Sequence, residues 1–191
     1  MDIPFSIDLE NTLLIPLKYD RHISRTLTDL RGQFFDTQVY LDVLAKSDLP
    51  VYDVYEIKRP EIAGELLFGI THLHPGKVGD EYYITKGHYH LVQGTAEVYY
   101  CLKGMGRMVM ETPEGAWAVE ELQPGRLLYV PPGWAHRSVN TSAQEELIFL
   151  FVYPGNAGHD YGSIENKGFR KLVVEHAGKP VVIDNPRWKG F

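Results

Sequence analysis

The sequence predicts an all-β sandwich or barrel, and three observations carry that prediction. From Val51 onward the chain breaks into short runs rich in β-branched and aromatic residues. Turn signals punctuate these runs roughly every 8–12 residues, among them Lys103-Gly104-Met105-Gly106, Thr112-Pro113-Glu114-Gly115, Gln123-Pro124-Gly125 and Pro131-Pro132-Gly133. The chain has 191 residues, 44% of them apolar. A globule of that size buries roughly 70% of its unfolded surface, enough for one core without staples. No repeat of 20–50 residues is visible.

Residues 1–50 form an N-terminal extension of different texture. Short strands are expected near residues 13–17. Asp36 reads as the N-cap of a helix over 36–46, because Val39, Tyr40, Val43 and Leu44 fall at helical spacing. Ser47-Asp48-Leu49-Pro50 ends it. Residues 51–191 form the barrel. Its strands are expected at 51–57, 66–74, 81–85, 96–102, 107–111, 117–122, 126–130 and 146–153, with Pro75 to Asp80 as a turn. A terminal hairpin over 171–184 turns at Ala177-Gly178-Lys179.

Composition excludes several functions. Nineteen basic against 25 acidic residues give a net charge of −6, the wrong sign for a nucleic-acid surface. The single Cys101 permits no internal disulfide and no cysteine-rich metal cluster, which fits a reducing cytoplasm. It reads as a buried, inert thiol. The longest apolar run, 147–153, is far too short to span a membrane. Met1-Asp2-Ile3-Pro4 has no basic region followed by an apolar run, so no signal peptide is expected.

The chemistry lies in the histidines. On an extended strand, residues i and i+2 share a face, so His88 and His90 can converge on one point. Glu97 follows on the next strand and His136 comes after the Pro131-Pro132-Gly133 bend. Three imidazoles and a carboxylate suit Fe²⁺, Mn²⁺, Ni²⁺ or Zn²⁺ and do not suit Ca²⁺ or Mg²⁺. An octahedral ion would keep two positions for substrate or water. A second pair, His72 and His74, has no carboxylate at a matching distance and is assigned to structure or substrate contact. Lys86 is expected on the opposite face from Thr85, salt-bridged or solvated.

The run His88-x-His90-(x6)-Glu97-(x6)-Gly104, followed by Pro131-x-Gly133-xx-His136-xxx-Asn140, resembles the two halves of the cupin signature. The second half matches throughout. In the first half six residues, not three or four, separate His90 from Glu97, and Tyr82 replaces the usual leading glycine. More specifically, Pro75-Gly76-Lys77-Val78-Gly79, Thr85-Lys86-Gly87-His88-Tyr89-His90, Ala96-Glu97-Val98-Tyr99, Trp134-Ala135-His136-Arg137 and Ala157-Gly158-His159-Asp160-Tyr161-Gly162 resemble the archaeal-type, metal-dependent phosphoglucose isomerases of the cupin superfamily. The resemblance runs nearly the whole chain, with departures at His72, His74, residues 91–95 and the first twenty residues.

That resemblance implies a cupin fold, a double-stranded β-helix or jelly-roll barrel, behind a short extension with one helix. It implies interconversion of D-glucose 6-phosphate and D-fructose 6-phosphate at a divalent ion, Fe²⁺ first, on His88, His90, Glu97 and His136. Glu97 would also move the proton between C1 and C2, with a metal-assisted hydride shift as the other route. Tyr52, Thr71, Thr85 and the Gly87 N–H would hold the phosphate. Tyr99, Tyr153, His159 and Tyr161 would line the sugar, with His159 assisting ring opening. Barrels of this type commonly pair through N-terminal strands, so a cytoplasmic homodimer is expected. The rival readings are another cupin enzyme (a metal-dependent dioxygenase or a sugar epimerase) and a sugar-binding cupin without turnover. A sensor of that last kind usually carries basic DNA-binding helices, which residues 1–50 lack.

Overall fold

The structure is a computed structural model that describes residues 3–190. Met1, Asp2 and Phe191, the outermost residues of the two expected segments, lie outside the described residues. In chain order the elements are β1 (Arg21–Thr26), a 3-10 turn (Thr28–Leu30), α1 (Thr37–Lys46), β2 (Pro50–Ile57), β3 (Leu66–Leu73), β4 (Lys77–Val78), β5 (Glu81–Tyr82), β6 (Glu97–Lys103) and β7 (Gly106–Glu111). Then follow β8 (Trp117–Leu122), β9 (Leu127–Val130), β10 (Ala135–Asn140), β11 (Leu147–Pro154), α2 (Gly162–Lys167), β12 (Lys171–His176) and β13 (Lys179–Asp184).

One sheet has the order β1-β2-β3-β11-β6-β9. Facing it are β10-β7-β8 and β13-β12-β5-β4. The extended segment 83–90 joins the facing strands through bridges from Ile84 to Val139 and from His88 to His136. The result is the all-β jelly-roll barrel that the sequence predicts. Its core lies between the sheets, where Leu73, Ile84, Met108, Leu122, Leu147 and Phe149 are almost fully buried.

Alternation along the large sheet decides what faces inward. One cross-strand row runs Ile23, Val54, Thr71, Phe149; the next contains Glu56, Gly69, Phe151 and Tyr99. Gly69 is required there: a Cβ would stand 2.7 Å from the Phe151 ring and 2.4 Å from the Tyr55 carbonyl. The side-chain-free position lets the Phe151 ring come close to the β3 backbone.

The helix forms as expected, with the Asp36 carboxylate accepting the Val39 N–H at 3.0 Å. Several expectations need correction. Residues 13–17 make a turn with Leu14 at φ 58 and a single bridge from Leu9 to Pro16, not a strand. The N-terminal strand is instead β1, which pairs with β2 as the edge of the large sheet, so part of the extension belongs to the barrel wall. The turn expected after Pro75 contains the two-residue strand β4. Strand β10 and helix α2 were not expected at all. The α2 start has a local cause: the Asp160 carboxylate accepts the Ser163 N–H at 3.2 Å and its hydroxyl at 2.5 Å.

Candidate metal centre

His88 and His90 flank Tyr89 in an extended stretch held by bridges, not in a full ladder strand. The alternation still works. Both imidazoles turn to one side, while the Tyr89 hydroxyl turns away to accept a bond from Lys167 Nζ at 3.0 Å. Lys167 in turn lies 2.5 Å from the buried Glu111 carboxylate. Glu97 opens β6, and His136 is the second residue of β10, bridged back to His88.

The four side chains His88, His90, Glu97 and His136 present one ligand atom each, all within 4.8 Å of one another. Glu97 Oε2 lies 2.9 Å from His136 Nε2 and 3.1 Å from His90 Nε2. Nε2 of His88 and of His136 are buried without a hydrogen-bond partner. Buried orphan nitrogens facing a carboxylate fit a cation that they would share.

The outer contacts fix the tautomers. The Thr95 hydroxyl donates to the Val92 carbonyl at 2.6 Å, so at 2.9 Å it accepts from His90 Nδ1. His136 Nδ1 donates to the Trp134 carbonyl at 3.2 Å. Both rings therefore direct the Nε2 lone pair at the centre, as a metal-ligating histidine requires.

The titratable groups of the centre are shifted by burial and by one another. Burial, followed by the neighbouring imidazoles of His136 and His159, holds His88 well below its usual range, hence neutral. Burial alone would raise Glu97, but the facing imidazoles of His136, His90 and His88 outweigh it and hold the carboxyl well below its ordinary value. Burial and the Glu97 charge push the Tyr99 hydroxyl upward.

The centre opens into a cavity of ≈ 120 Å³. Every other residue expected at the site lines it: Tyr52, Thr71, Thr85, Gly87, Tyr99, Tyr153, His159 and Tyr161. Of the four clustered side chains, His88, Glu97 and His136 line it as well. The His159 ring is 4.3 Å from His88, 5.2 Å from Tyr153 and stacked on Tyr161 at 5.7 Å, centroid to centroid. Burial depresses His159 against the opposing charge of Glu97. The Tyr52 phenol is pushed up to about 12, chiefly by burial. Thr85 Oγ1 accepts the Ser138 N–H at 3.0 Å, which leaves its proton to donate elsewhere.

Sequence reading missed Ile23, Arg25, Val54, Glu56, Ser138, Phe149 and Phe151, all on the cavity wall. Lys86 also lines the cavity, and its ammonium is 2.5 Å from Glu165, the salt bridge that was one of its two expected states. Cys101 is buried, and burial pushes its thiol up to about 11, the inert state expected.

The second histidine pair is structural. His74 Nε2 lies 2.7 Å from Asp53 and its Nδ1 2.8 Å from Glu146. His22 meets the same Asp53 at 2.8 Å, and His72 Nδ1 is 3.4 Å from Glu146. Asp53 and His72 stand opposite one another in the β2–β3 register, on the face away from the cavity.

Comparison with known proteins agrees. Residues 24–189 match the family model described as glucose-6-phosphate isomerase. A glucose-6-phosphate isomerase of Thermococcus onnurineus is 49% identical over 187 residues, covering 98% of this chain and 96% of that one. One of Pyrococcus furiosus is 49% identical over 165 residues, covering 86% and 87%. A solved oxalate decarboxylase of Lactobacillus farciminis overlays 60% of this chain and 31% of its own, with a TM-score of 0.45 at 18% identity. With a family match over most of its length and near-half identity to full-length relatives, the chain belongs to the glucose-6-phosphate isomerase family.

Proposed function

We propose that this enzyme interconverts D-glucose 6-phosphate and D-fructose 6-phosphate, with the open-chain sugar lying between the His88–His90–Glu97–His136 centre and a hydroxyl-lined phosphate cradle. The observation that carries the reading is the pairing of a four-ligand centre with Tyr52, Thr71, Thr85 and Gly87 on one cavity wall. β6 and β3 are two strands apart, roughly 10 Å at the usual spacing, a gap that an extended hexose phosphate spans. A divalent ion bound at the centre would polarise the carbonyl and stabilise negative charge developing on the C1 and C2 oxygens. Fe²⁺ is our first choice, on the family resemblance; the imidazole and carboxylate donors fit Mn²⁺, Ni²⁺ and Zn²⁺ equally.

Glu97 and Glu56 are the carboxylates of the cavity wall among the described residues. Glu97 stands at the centre and takes the proton from one carbon and returns it to the next. Its low basicity keeps a direct hydride shift in play. Deuterium entering C1 or C2 from D₂O marks the proton route; its absence marks the hydride route. His159, neutral and beside the centre, gives and takes the ring-oxygen proton during opening.

The test is fructose 6-phosphate turnover, read by coupling glucose 6-phosphate to its dehydrogenase, on chelator-stripped protein and on aliquots given each metal. Activity should vanish on stripping and return with metal. His159→Gln should lose roughly 10²-fold in kcat. No turnover with any metal would discard the substrate, and oxygen consumption would point to a dioxygenase instead. We also place the enzyme in the cytoplasm as a homodimer, serving sugar breakdown or synthesis. No helix of the described residues is long and apolar enough to cross a membrane. The outer face of β6 and β9 leaves Tyr100, Leu127 and Tyr129 exposed, a patch suited to a second copy.

A further inference from the structure

The proposed phosphate cradle is built of hydroxyls and one backbone N–H, none of which carries charge. The cation comes from β1. Alternation along this strand turns Ile23 and Arg25 to the cavity wall, while His22 turns outward to Asp53. Arg25 stands directly opposite Tyr52 in the register, and the pairing shifts immediately after it. It shares the wall with Tyr52, Thr71, Thr85 and Gly87.

The other charges of this wall are already engaged. Lys86 is 2.5 Å from Glu165 and lies over the Tyr161 ring at 5.0 Å. Glu56 pairs with Arg21 at 3.4 Å, and Glu97 belongs to the metal centre. Arg25 has a looser, single-pronged contact, its Nη1 lying 3.5 Å from Asp29 with 42% of the side chain exposed. Asp29 is itself anchored, accepting the Thr26 N–H at 2.9 Å. One tip of the guanidinium is steadied, and the fork has further N–H donors.

We propose that Arg25 is a phosphate-binding residue that selects the dianionic end of the sugar, with Asp29 as its positioning residue. The inference rests on the sugar-phosphate reading above. Its physics is separate from that of the metal centre. A phosphate dianion leaving water needs a counter-charge as well as hydrogen bonds. A guanidinium supplies both, with fork geometry matched to two phosphate oxygens. The need is sharper in a chain of net charge −6, which repels an anionic substrate at long range.

The test uses metal-loaded protein carrying Arg25→Gln, Arg25→Lys or Asp29→Asn. Arg25→Gln should raise KM for fructose 6-phosphate roughly 10–100-fold, the range for loss of a charged hydrogen bond, with kcat within about threefold. Inhibition by inorganic phosphate should weaken in parallel. Arg25→Lys should fall between the two, and Asp29→Asn should give a smaller KM rise. Added salt should raise KM for the wild type relative to that of Arg25→Gln. Unchanged KM and phosphate affinity in Arg25→Gln, or a fall in kcat alone, overturns the proposal. If Arg25→Gln does not fold, the same comparison between wild type and Arg25→Lys decides. If the wild type turns over no sugar phosphate, the substrate reading fails on its own. Calorimetric titration with inorganic phosphate then decides for Arg25: binding weakened by the substitution supports it, and equal or absent binding overturns it.

Discussion

Glu81 is a carboxylate with almost no access to water, 1% exposed, that accepts the Phe35 N–H at 2.9 Å. Burial pushes it up to about 7 from 4.5, against the opposing pull of Arg137 and Arg187. The folded chain therefore keeps a proton that the unfolded chain releases. The resulting stabilisation is complete below about pH 4.5 and is lost as pH rises to about 7. Replacing Glu81 with Gln removes this dependence. Between pH 4.5 and 7.5 the wild type should lose up to about 3 kcal/mol relative to Glu81→Gln in denaturant titrations; parallel curves would refute the assignment. His72 and His159 are bases depressed by burial, so they slope the other way. The difference between variant and wild type is therefore the readout, not the raw slope. At this scale the His88–His90–Glu97–His136 cluster was legible because its spacing is stereotyped. The places of Thr95 and Arg25 were not, because they follow from what lies across space from them.

At the scale of elements, the stretch carrying Gly87 is tightly packed. Gly87 has φ 71, and a Cβ there would stand 2.6 Å from the Phe169 ring and 3.1 Å from Arg137 Cβ. Gly133, at φ 79, has nothing within 4 Å. Gly87→Ala should therefore cost at least about 2 kcal/mol, combining overpacking with backbone strain, and Gly133→Ala about 1 kcal/mol. Thermal melts of the two variants check this; equal losses would mean that backbone conformation alone matters. The missed elements failed for identifiable reasons. Strand β10 reads Ala-His-Arg-Ser-Val-Asn, too polar to announce a strand, yet every residue is buried. Several of its polar groups find partners instead: Arg137 donates to the Lys86 carbonyl at 3.0 Å and Asn140 to the Leu73 carbonyl at 2.8 Å. Strand β1 alternates, but its inward positions include Arg21 and Arg25, so no apolar period appears. The β7, β9 and β11 runs were legible because one or both of their faces bury apolar side chains.

At the scale of the molecule, the large sheet has two outer borders. On the β9 side, Tyr100 stands opposite Leu127 and Val98 opposite Tyr129. Leu127 is 64% and Tyr129 56% exposed, so a second chain covering them would remove an apolar stripe from water. Sedimentation should report about twice the 21.8 kDa chain mass, and Tyr129→Glu should shift the population toward monomer. A monomeric wild type would remove the dimer from the account. The large sheet also has a history written into its strand order. Its inner strand β11 separates β3 from β6, yet the ribosome releases it after β1, β2, β3, β6 and β9. Until residues 147–154 emerge, β3 and β6 have no shared neighbour, and the cavity wall lacks Phe149, Phe151 and Tyr153. Assembly must wait for a contact some eighty residues apart in sequence. A nascent chain therefore holds its His₃Glu cluster before it holds the room the cluster opens into, and folding is governed by late, long-range closure.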